Sequence, residues 1–295
     1  MAFRTTPRRS SDETQAKRVR LLALANETQV DATTKNATND GFFICGIGGA
    51  FRLVVLMPFF FVTFFPGTIW VRRTSLTWLP ADVVLLTFDD GPNAGARTTG
   101  RLLDVLERQR VTAAFCLVGR AVEQAPGMVR RMRDSGHLLV NHTYSHRLER
   151  EARAMEQEIC RCDEAIGRAF GNPGYRSRWF RPPGGWLTGA VEACTAARGL
   201  QILPVTYFAF DTLYSGRGSL RLVETHVRIA KKDRGGIFVV HDGAVRVRPR
   251  NRACDVLEGK NRAWIPEAIE EMIRRLRGEG IRFGAPEEVL LGPKP

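Results

Sequence analysis

The stretch Val83–Pro92 reads VVLLTFDDGP and places two carboxylates directly after a continuous hydrophobic run. The run predicts a buried strand that ends at the Gly-Pro turn signal. Each carboxylate would cost several kcal/mol to bury without a partner, so we expect Asp89 and Asp90 at the C-terminal tip of the strand, where α/β folds place their chemistry. Neighbouring side chains on a strand point in opposite directions, so the two acids can serve different partners. A solvent-exposed Asp-Asp turn is the alternative.

Strand-like runs alternate with amphipathic helical stretches along the rest of the chain, and this alternation favours a parallel α/β sheet. Strands are predicted near 83–88, 113–118, 137–140, 179–181, 202–206, 237–241 and 281–283, and helices near 98–109, 121–135, 149–170, 187–198, 219–232 and 265–279. About seven such repeats predict a distorted (β/α) barrel of parallel strands, closed or nearly closed, over residues 82–290.

The residues before this domain divide into two segments of different composition. Residues 1–40 are polar and rich in Thr, Asn and Arg, which predicts disorder. Within residues 41–73, the uncharged stretch Leu53–Trp70 reads LVVLMPFFFVTFFPGTIW and is long enough to cross a bilayer. We therefore expect a hydrophobic anchor helix that attaches the chain to a membrane and leaves the folded domain extracytoplasmic. Two prolines within the stretch favour the alternative of a hydrophobic arm packed on the domain.

The chain carries a formal net charge of +13, from 44 basic and 31 acidic residues among 295. Such a charge favours an acidic partner, either an anionic cell-wall polymer, a phospholipid surface or a nucleic acid. The basic residues are scattered and are not interleaved with aromatic residues, which disfavours nucleic-acid binding. The six cysteines neither demand nor exclude an oxidising compartment.

Three of the five histidines follow predicted strands. His142 and His146 are four residues apart, a spacing that can grip one metal ion together with an acid such as Asp90. His241 closes the run at 237–241 and can supply a proton near neutral pH. His137 is expected to pack in the core, and His226, in the middle of a predicted helix, is expected at the surface.

The loop after the predicted strand 179–181 reads RPPGG, from Arg181 to Gly185. Two prolines stiffen such a loop, and two glycines let its backbone approach a ligand closely. Arg181 can hold a carboxylate through a bidentate pair. Taken alone, the Pro-Pro-Gly-Gly stretch is equally typical of an ordinary turn.

Four separated motifs stand in order within a region of about 200 residues, 82–290: TFDDGP at 87–92, HTYSH at 142–146, RPPGG at 181–185 and VVHD at 239–242. In this order they resemble the polysaccharide deacetylases of the NodB-homology type, carbohydrate esterase family 4. The resemblance implies a catalytic domain over 82–290 that removes N-acetyl groups from sugars of a cell-wall or exported glycan, with metal-bound water attacking the amide. An amidase acting on a small or lipid-linked N-acyl substrate, or a catalytically silent carbohydrate-binding barrel, remains open.

The same resemblance implies a role for each site residue. Asp89 would be the general base, Arg181 would orient it, the amide of Gly184 would bind the oxyanion, His241 would be the general acid, and Asp90, His142 and His146 would hold Zn²⁺ or another divalent ion such as Co²⁺.

The chain departs from the family pattern at two positions. Gly184 stands where the family often carries an aromatic residue, and Trp186 or Trp179 is expected to replace the lost wall of the groove. Tyr214 stands where the family carries the acid that tunes the catalytic histidine, and Asp211 is the candidate to replace it.

Overall fold

The computed structural model describes residues 79–209, 211–213, 216–243, 245–247, 254–256 and 262–291. The polar segment 1–40 and the hydrophobic segment 41–73 both lie outside these ranges. Within these ranges, no helix is both long enough and apolar enough to span a bilayer.

Eight parallel strands form the central sheet. They are β1 (Val83–Gly91), β2 (Ala114–Leu117), β3 (Leu138–Asn141), β4 (Trp179–Phe180), β5 (Gln201–Ile202), β6 (Tyr207–Phe208), β7 (Gly235–His241) and β10 (Arg282–Phe283). Between β7 and β10, β8 (Val245–Val247) and β9 (Cys254–Val256) form a separate antiparallel hairpin. Their order is β5-β4-β3-β2-β1-β7-β6, with β10 pairing the N-terminal end of β1. The path runs from β5 to β6 without returning, so the described part of the chain forms a curled half-barrel, consistent with the distorted barrel predicted above.

Strand β1 lies in the middle of the sheet, and all nine of its residues are buried. Its alternating side chains face two different hydrophobic clusters, one on the helical side that includes Val84, Leu86 and Phe88, and one on the inner side that includes Val83 and Leu85. The register with β7 pairs Asp89 with His241. The carboxyl ends of β1 and β7 therefore bring the acidic pair next to the histidine.

Eight helices surround the sheet in the described ranges: α1 (Thr98–Arg108), α2 (Gly119–Gln124), α3 (Pro126–Asp134), α4 (Ala152–Ala169), α5 (Gly189–Arg198), α6 (Ser219–Asp233), α7 (Ile265–Gly278) and α8 (Pro286–Leu291). The apolar stripe of α7, including Ile269, Met272 and Leu276, is fully buried, as the 3.6-residue spacing predicts. Most of the hydrophobic core therefore lies between the sheet and these helices.

Three predicted elements differ from the structure. The helix expected at 121–135 is two helices, because Pro126 has no backbone N–H and begins α3 instead. The strand expected at 202–206 ends at Ile202, and the separate strand β6 follows. The hairpin of β8 and β9 is the third difference, because no strand is predicted between residues 242 and 280.

Candidate metal centre and active site

Asp90, His142 and His146 meet at the carboxyl edge of the sheet, as the positions of Asp90 near the end of β1 and of the histidines after β3 predict. The Oδ1 atom of Asp90 lies 3.5 Å from His142 Nε2 and 3.1 Å from His146 Nε2. Asp90 and His146 adopt left-handed backbone conformations, with φ of 72° and 56°. Such conformations are uncommon outside glycine and persist where the surrounding structure requires them. Here they turn the two side chains toward the same point.

The charges and the tautomer of this cluster suit a divalent cation. The Nδ1 atom of His142 lies 2.6 Å from the carbonyl oxygen of Arg181, which can only accept, so Nδ1 carries the proton and Nε2 presents its lone pair to the cluster. Burial acts to raise the pKa of Asp90, but His146 and His142 hold that pKa well below its ordinary value. One carboxylate and two imidazoles, with ligand atoms all within 4.8 Å of one another, are the donors of a catalytic zinc site with an open position.

Hydrogen bonds to helix α4 hold the loop that carries the two histidines. The side chain of Asn141 accepts from the amide of Thr143 at 3.0 Å and donates to Asp163 Oδ1 at 2.8 Å. The amide of Ser145 donates to Glu158 Oε2 at 2.8 Å. These anchors were not predicted from sequence; the only available signal was the position of Asn141, the last residue of β3, directly before His142.

Asp89, the neighbour of Asp90 in sequence, contacts Arg181. The two side chains are buried, and Arg181 Nη1 donates to Asp89 Oδ1 at 2.9 Å and to Thr87 Oγ1 at 2.8 Å. Nη2 donates to the carbonyl oxygen of Pro204 at 3.1 Å. The structure thus brings together the predicted base and its predicted partner, and it leaves Asp89 Oδ2 without a bond to this guanidinium.

His241 and Asp211 form a second acid–base pair. Asp211 is fully buried; its Oδ1 lies 2.9 Å from His241 Nδ1, and its Oδ2 accepts from the His241 amide at 2.9 Å. Burial acts to lower the pKa of His241, but Asp211, followed by Asp90 and Asp89, raises it to about 9. The raised pKa favours the protonated imidazole, and the predicted contact between the two residues is present.

Arg262 is a site residue that the sequence analysis missed. Its buried guanidinium donates to the carboxylate and the carbonyl of Asp211 and to the carbonyl of His241. Nothing in the local sequence distinguishes it from the scattered surface arginines, because its role depends on a contact across 51 residues of chain.

The loop that carries Gly184 has a conformation that favours glycine. Gly184 and Gly185 have φ of 65° and 75°, and a Cβ added at Gly184 would lie 2.9 Å from Cδ1 of Trp186. The indole of Trp186 therefore fills the space into which a side chain at Gly184 would project, whereas Trp179 is buried in the inner cluster and cannot line a groove. The expectation that Trp179 replaces the aromatic wall is wrong; the roles of Trp186 and of the Gly184 amide stay predictions.

The two histidines outside the site are both buried. His137 packs in the core as predicted, and its Nδ1 accepts from the Ala113 amide at 3.1 Å. The surface position expected for His226 is wrong: it is fully buried, with its ring 5.1 Å from those of Tyr207 and Phe238, because this face of α6 packs on the sheet. Burial lowers the pKa of His226 to about 4.

Three residues that could hold a metal ion, a carboxylate held by arginine and a histidine paired with a buried acid thus share the carboxyl edge of an α/β half-barrel. Together these groups make up the site of a hydrolase that can bind a divalent metal ion.

Comparison with known proteins identifies the family. The polysaccharide deacetylase family model matches residues 79–203. Over 181 residues the chain is 35% identical to the chitooligosaccharide deacetylase of Rhizobium leguminosarum bv. trifolii, which covers 58% of this chain and 80% of the relative. Over 209 residues it is 27% identical to a peptidoglycan-N-acetylglucosamine deacetylase of Bacillus cereus, and this alignment covers 70% of this chain and 88% of the relative. The chain belongs to the polysaccharide deacetylase family and is a hydrolase of that family.

Solved structures agree with this assignment. A family 4 carbohydrate esterase from Streptomyces lividans, in complex with acetate, is similar at 26% identity with a TM-score of 0.51, covering 68% of this chain and 91% of that chain. A family 4 pseudoenzyme from Bacillus anthracis shares the fold at 19% identity with a TM-score of 0.53, covering 71% and 66%. The fold therefore occurs without native activity, so catalysis depends on the site residues.

Proposed function

We propose that the chain removes N-acetyl groups from the N-acetylated sugars of a polysaccharide, either cell-wall material or an exported glycan. The observation that carries the proposal is the meeting of Asp90, His142 and His146 beside the Asp89–Arg181 pair at one edge of the sheet. The names of the relatives, a chitooligosaccharide deacetylase and a peptidoglycan-N-acetylglucosamine deacetylase, support a substrate that contains N-acetylglucosamine.

The metal ligands are Asp90, His142 and His146, and Zn²⁺ or another divalent ion such as Co²⁺ fits them. When bound there, such an ion supplies Lewis-acid chemistry, polarising a carbonyl and lowering the pKa of a coordinated water toward ~7. The contribution of the protein is to hold the three donors in place through the Arg181 carbonyl, Asn141 and the loop contacts to α4.

Asp89 is the proposed general base. Arg181 Nη1 donates to one carboxylate oxygen of Asp89 and to the hydroxyl of Thr87, so the carboxylate is held by the guanidinium. The other carboxylate oxygen is proposed to accept a proton from the attacking water. The Gly184 amide is proposed to donate to the developing oxyanion, an interaction worth about 3–4 kcal/mol in acyl-transfer enzymes.

His241 is the proposed general acid. An amide nitrogen leaves poorly unless it is protonated, and the buried carboxylate of Asp211 raises the pKa of His241, which favours the charged imidazole that a general acid requires. Because Nδ1 is engaged by Asp211, the proton available for transfer lies on Nε2. The products are acetate and a free amino sugar.

The direct test is acetate release from N-acetylated chito-oligosaccharides and from peptidoglycan fragments by the 295-residue chain loaded with Zn²⁺. We expect acetate from at least one of these glycans and none after removal of the metal with a chelator. Metal-loaded protein that releases no acetate from any glycan would refute polysaccharide deacetylation and favour a small or lipid-linked N-acyl substrate.

We also propose that residues 41–73 attach the chain to a membrane, with the catalytic domain outside the cytoplasm. The support is the composition of Leu53–Trp70, which is uncharged and followed by two arginines. The test is alkaline carbonate extraction of membranes from cells that express the chain. Retention in the membrane pellet is expected, and complete release would refute an integral anchor.

A further inference from the structure

Arg262 contacts both members of the acid pair at once. Its Nη1 donates to the carbonyl of Asp211 at 2.8 Å and its Nη2 donates to Oδ2 of the same residue. Nη2 and Nε also donate to the carbonyl of His241, at 2.7 and 3.2 Å. The guanidinium carbon lies 5.3 Å from the ring centroid of Trp264. A single side chain therefore joins the end of β7, the turn at 211–213 and the segment that leads into α7.

The two carboxylate oxygens of Asp211 bind two different side chains, the imidazole of His241 and the guanidinium of Arg262. Oδ1 faces the imidazole of His241, and Oδ2 faces the His241 amide and Arg262. A carboxylate with no exposed surface would otherwise have a raised pKa; burial acts in that direction, but His241 and Arg262 hold the pKa of Asp211 below its ordinary value. Arg262 thus shares with the His241 amide the oxygen that the imidazole does not use, and both contacts oppose rotation of the carboxylate away from Nδ1.

The backbone contact adds a second constraint. His241 is the last residue of β7, and its carbonyl accepts hydrogen bonds from two nitrogens of Arg262. Because the position of the imidazole depends on this backbone as well as on its bond to Asp211, both determinants of the direction of Nε2 pass through Arg262.

We propose that Arg262 is a positioning residue for the general acid, and that it acts through Asp211 and the β7 carbonyl without touching the substrate. The proposal rests on the proposed deacetylation and deepens it, since it assigns to Arg262 the part of catalysis that protonates the departing amine. It parallels the contact of Arg181 with the base, so the base and the acid are each held by a buried arginine.

The chemistry of the leaving group provides the test. Departure of an amine requires protonation by His241, whereas departure of 4-nitrophenolate from 4-nitrophenyl acetate does not. The 295-residue chain, loaded with Zn²⁺, would be compared as wild type, Arg262→Met, Arg262→Lys and the exposed control Arg108→Met. We expect Arg262→Met to lower kcat for N-acetylated chito-oligosaccharides about 10- to 100-fold, a loss no larger than the roughly 10²–10⁴-fold contribution of a positioned general acid. KM, zinc content and turnover of the activated ester should change less than about 3-fold, because the base and the metal ligands are untouched.

Arg262→Lys separates charge from geometry. Lysine keeps the positive charge near Asp211 but cannot reach the carboxylate and both carbonyls with one ammonium group. We therefore expect the kcat of Arg262→Lys to lie between that of the wild type and that of Arg262→Met. The lysine variant also decides the matter if the methionine variant does not fold, as judged by circular dichroism.

A measurement without turnover distinguishes this proposal from the proposed function. The proton between His241 Nδ1 and Asp211 Oδ1 should give a downfield NMR signal in the wild type that is absent in Asp211→Asn. The signal should broaden or vanish in Arg262→Met and persist in Arg108→Met. An unchanged signal in Arg262→Met, or equal losses of amide and ester turnover, would overturn the positioning role. A wild type that shows the signal but deacetylates no glycan would refute only the proposed function.

Discussion

The charge of Asp211 sets the protonation state of the general acid, and Asp211→Asn removes that charge while keeping the size of the side chain. Asp211 Oδ1 lies 2.9 Å from His241 Nδ1, and it is the largest contributor that raises the pKa of His241, to about 9, against the opposing effect of burial. An opposite charge at this range shifts a pKa by about 1–3 units. Asp89 and Asp90 also raise this pKa and remain in the variant, so we expect the pKa to fall to about 6–8.

The sign of the effect on activity follows from the role of the imidazole. A general acid must be protonated, so the rate declines as pH rises through the pKa of His241, and a lower pKa moves this decline to lower pH. Removal of the Asp211 charge should therefore move the alkaline limb of the variant about 1–3 pH units below that of the wild type. We expect a loss of about 10-fold or more in kcat on that limb and little loss at pH values well below it.

The assay is kcat for acetate release between pH 5.5 and 10, with saturating glycan and metal. A bound divalent cation lowers the pKa of His241 in wild type and variant alike, so the measured quantity is the displacement between the two alkaline limbs. Asp134→Asn, on the exposed face of α3, serves as the matched control and should leave the profile unchanged. An alkaline limb that stays at the wild-type pH in Asp211→Asn would refute the tuning of His241 by Asp211.

Three further outcomes are expected. Asp89→Asn should abolish turnover and leave bound zinc unchanged, because Asp89 contacts Arg181 and not the metal ligands; retained turnover would remove Asp89 as the base. His142→Ala should lower zinc affinity by more than the roughly 10- to 100-fold typical of a group that only supports a ligand, as measured by competition with a chelator, and undiminished occupancy would contradict its assignment as a ligand. His226 has a folded pKa of about 4 and an ordinary value of 6.5, so the stability that its neutral form contributes is complete above pH 6.5 and is lost as pH falls toward 4. When the pH falls from 7 to 4.5, the unfolding free energy of His226→Phe, measured by urea titration, should therefore decrease by roughly 2–3 kcal/mol less than that of the wild type. Equal decreases in the two proteins would show that His226 does not contribute.

The local sequence carried the elements and the primary groups of the site. The hydrophobic run before Asp89 predicted β1 because a buried strand has a composition that is readable without its neighbours. The positions of Asp90, His142 and His241 directly after such runs predicted that they share one edge, because parallel strands present their carboxyl ends together. Even the pairing of Asp211 with His241 was expected, although it came from the family resemblance and not from spacing.

The supporting contacts required the folded chain. Arg262 resembles every other arginine in the sequence. Only the folded chain, in which β7 lies beside β1, places Arg262 in contact with Asp211. The burial of His226 and Trp179 likewise depends on which face of α6 or of β4 packs inward. A residue's position after a strand is encoded by its neighbours in sequence, whereas its burial and its charged partners depend on segments tens of residues away, so sequence predicted the reacting groups and tertiary structure decided what holds them in place.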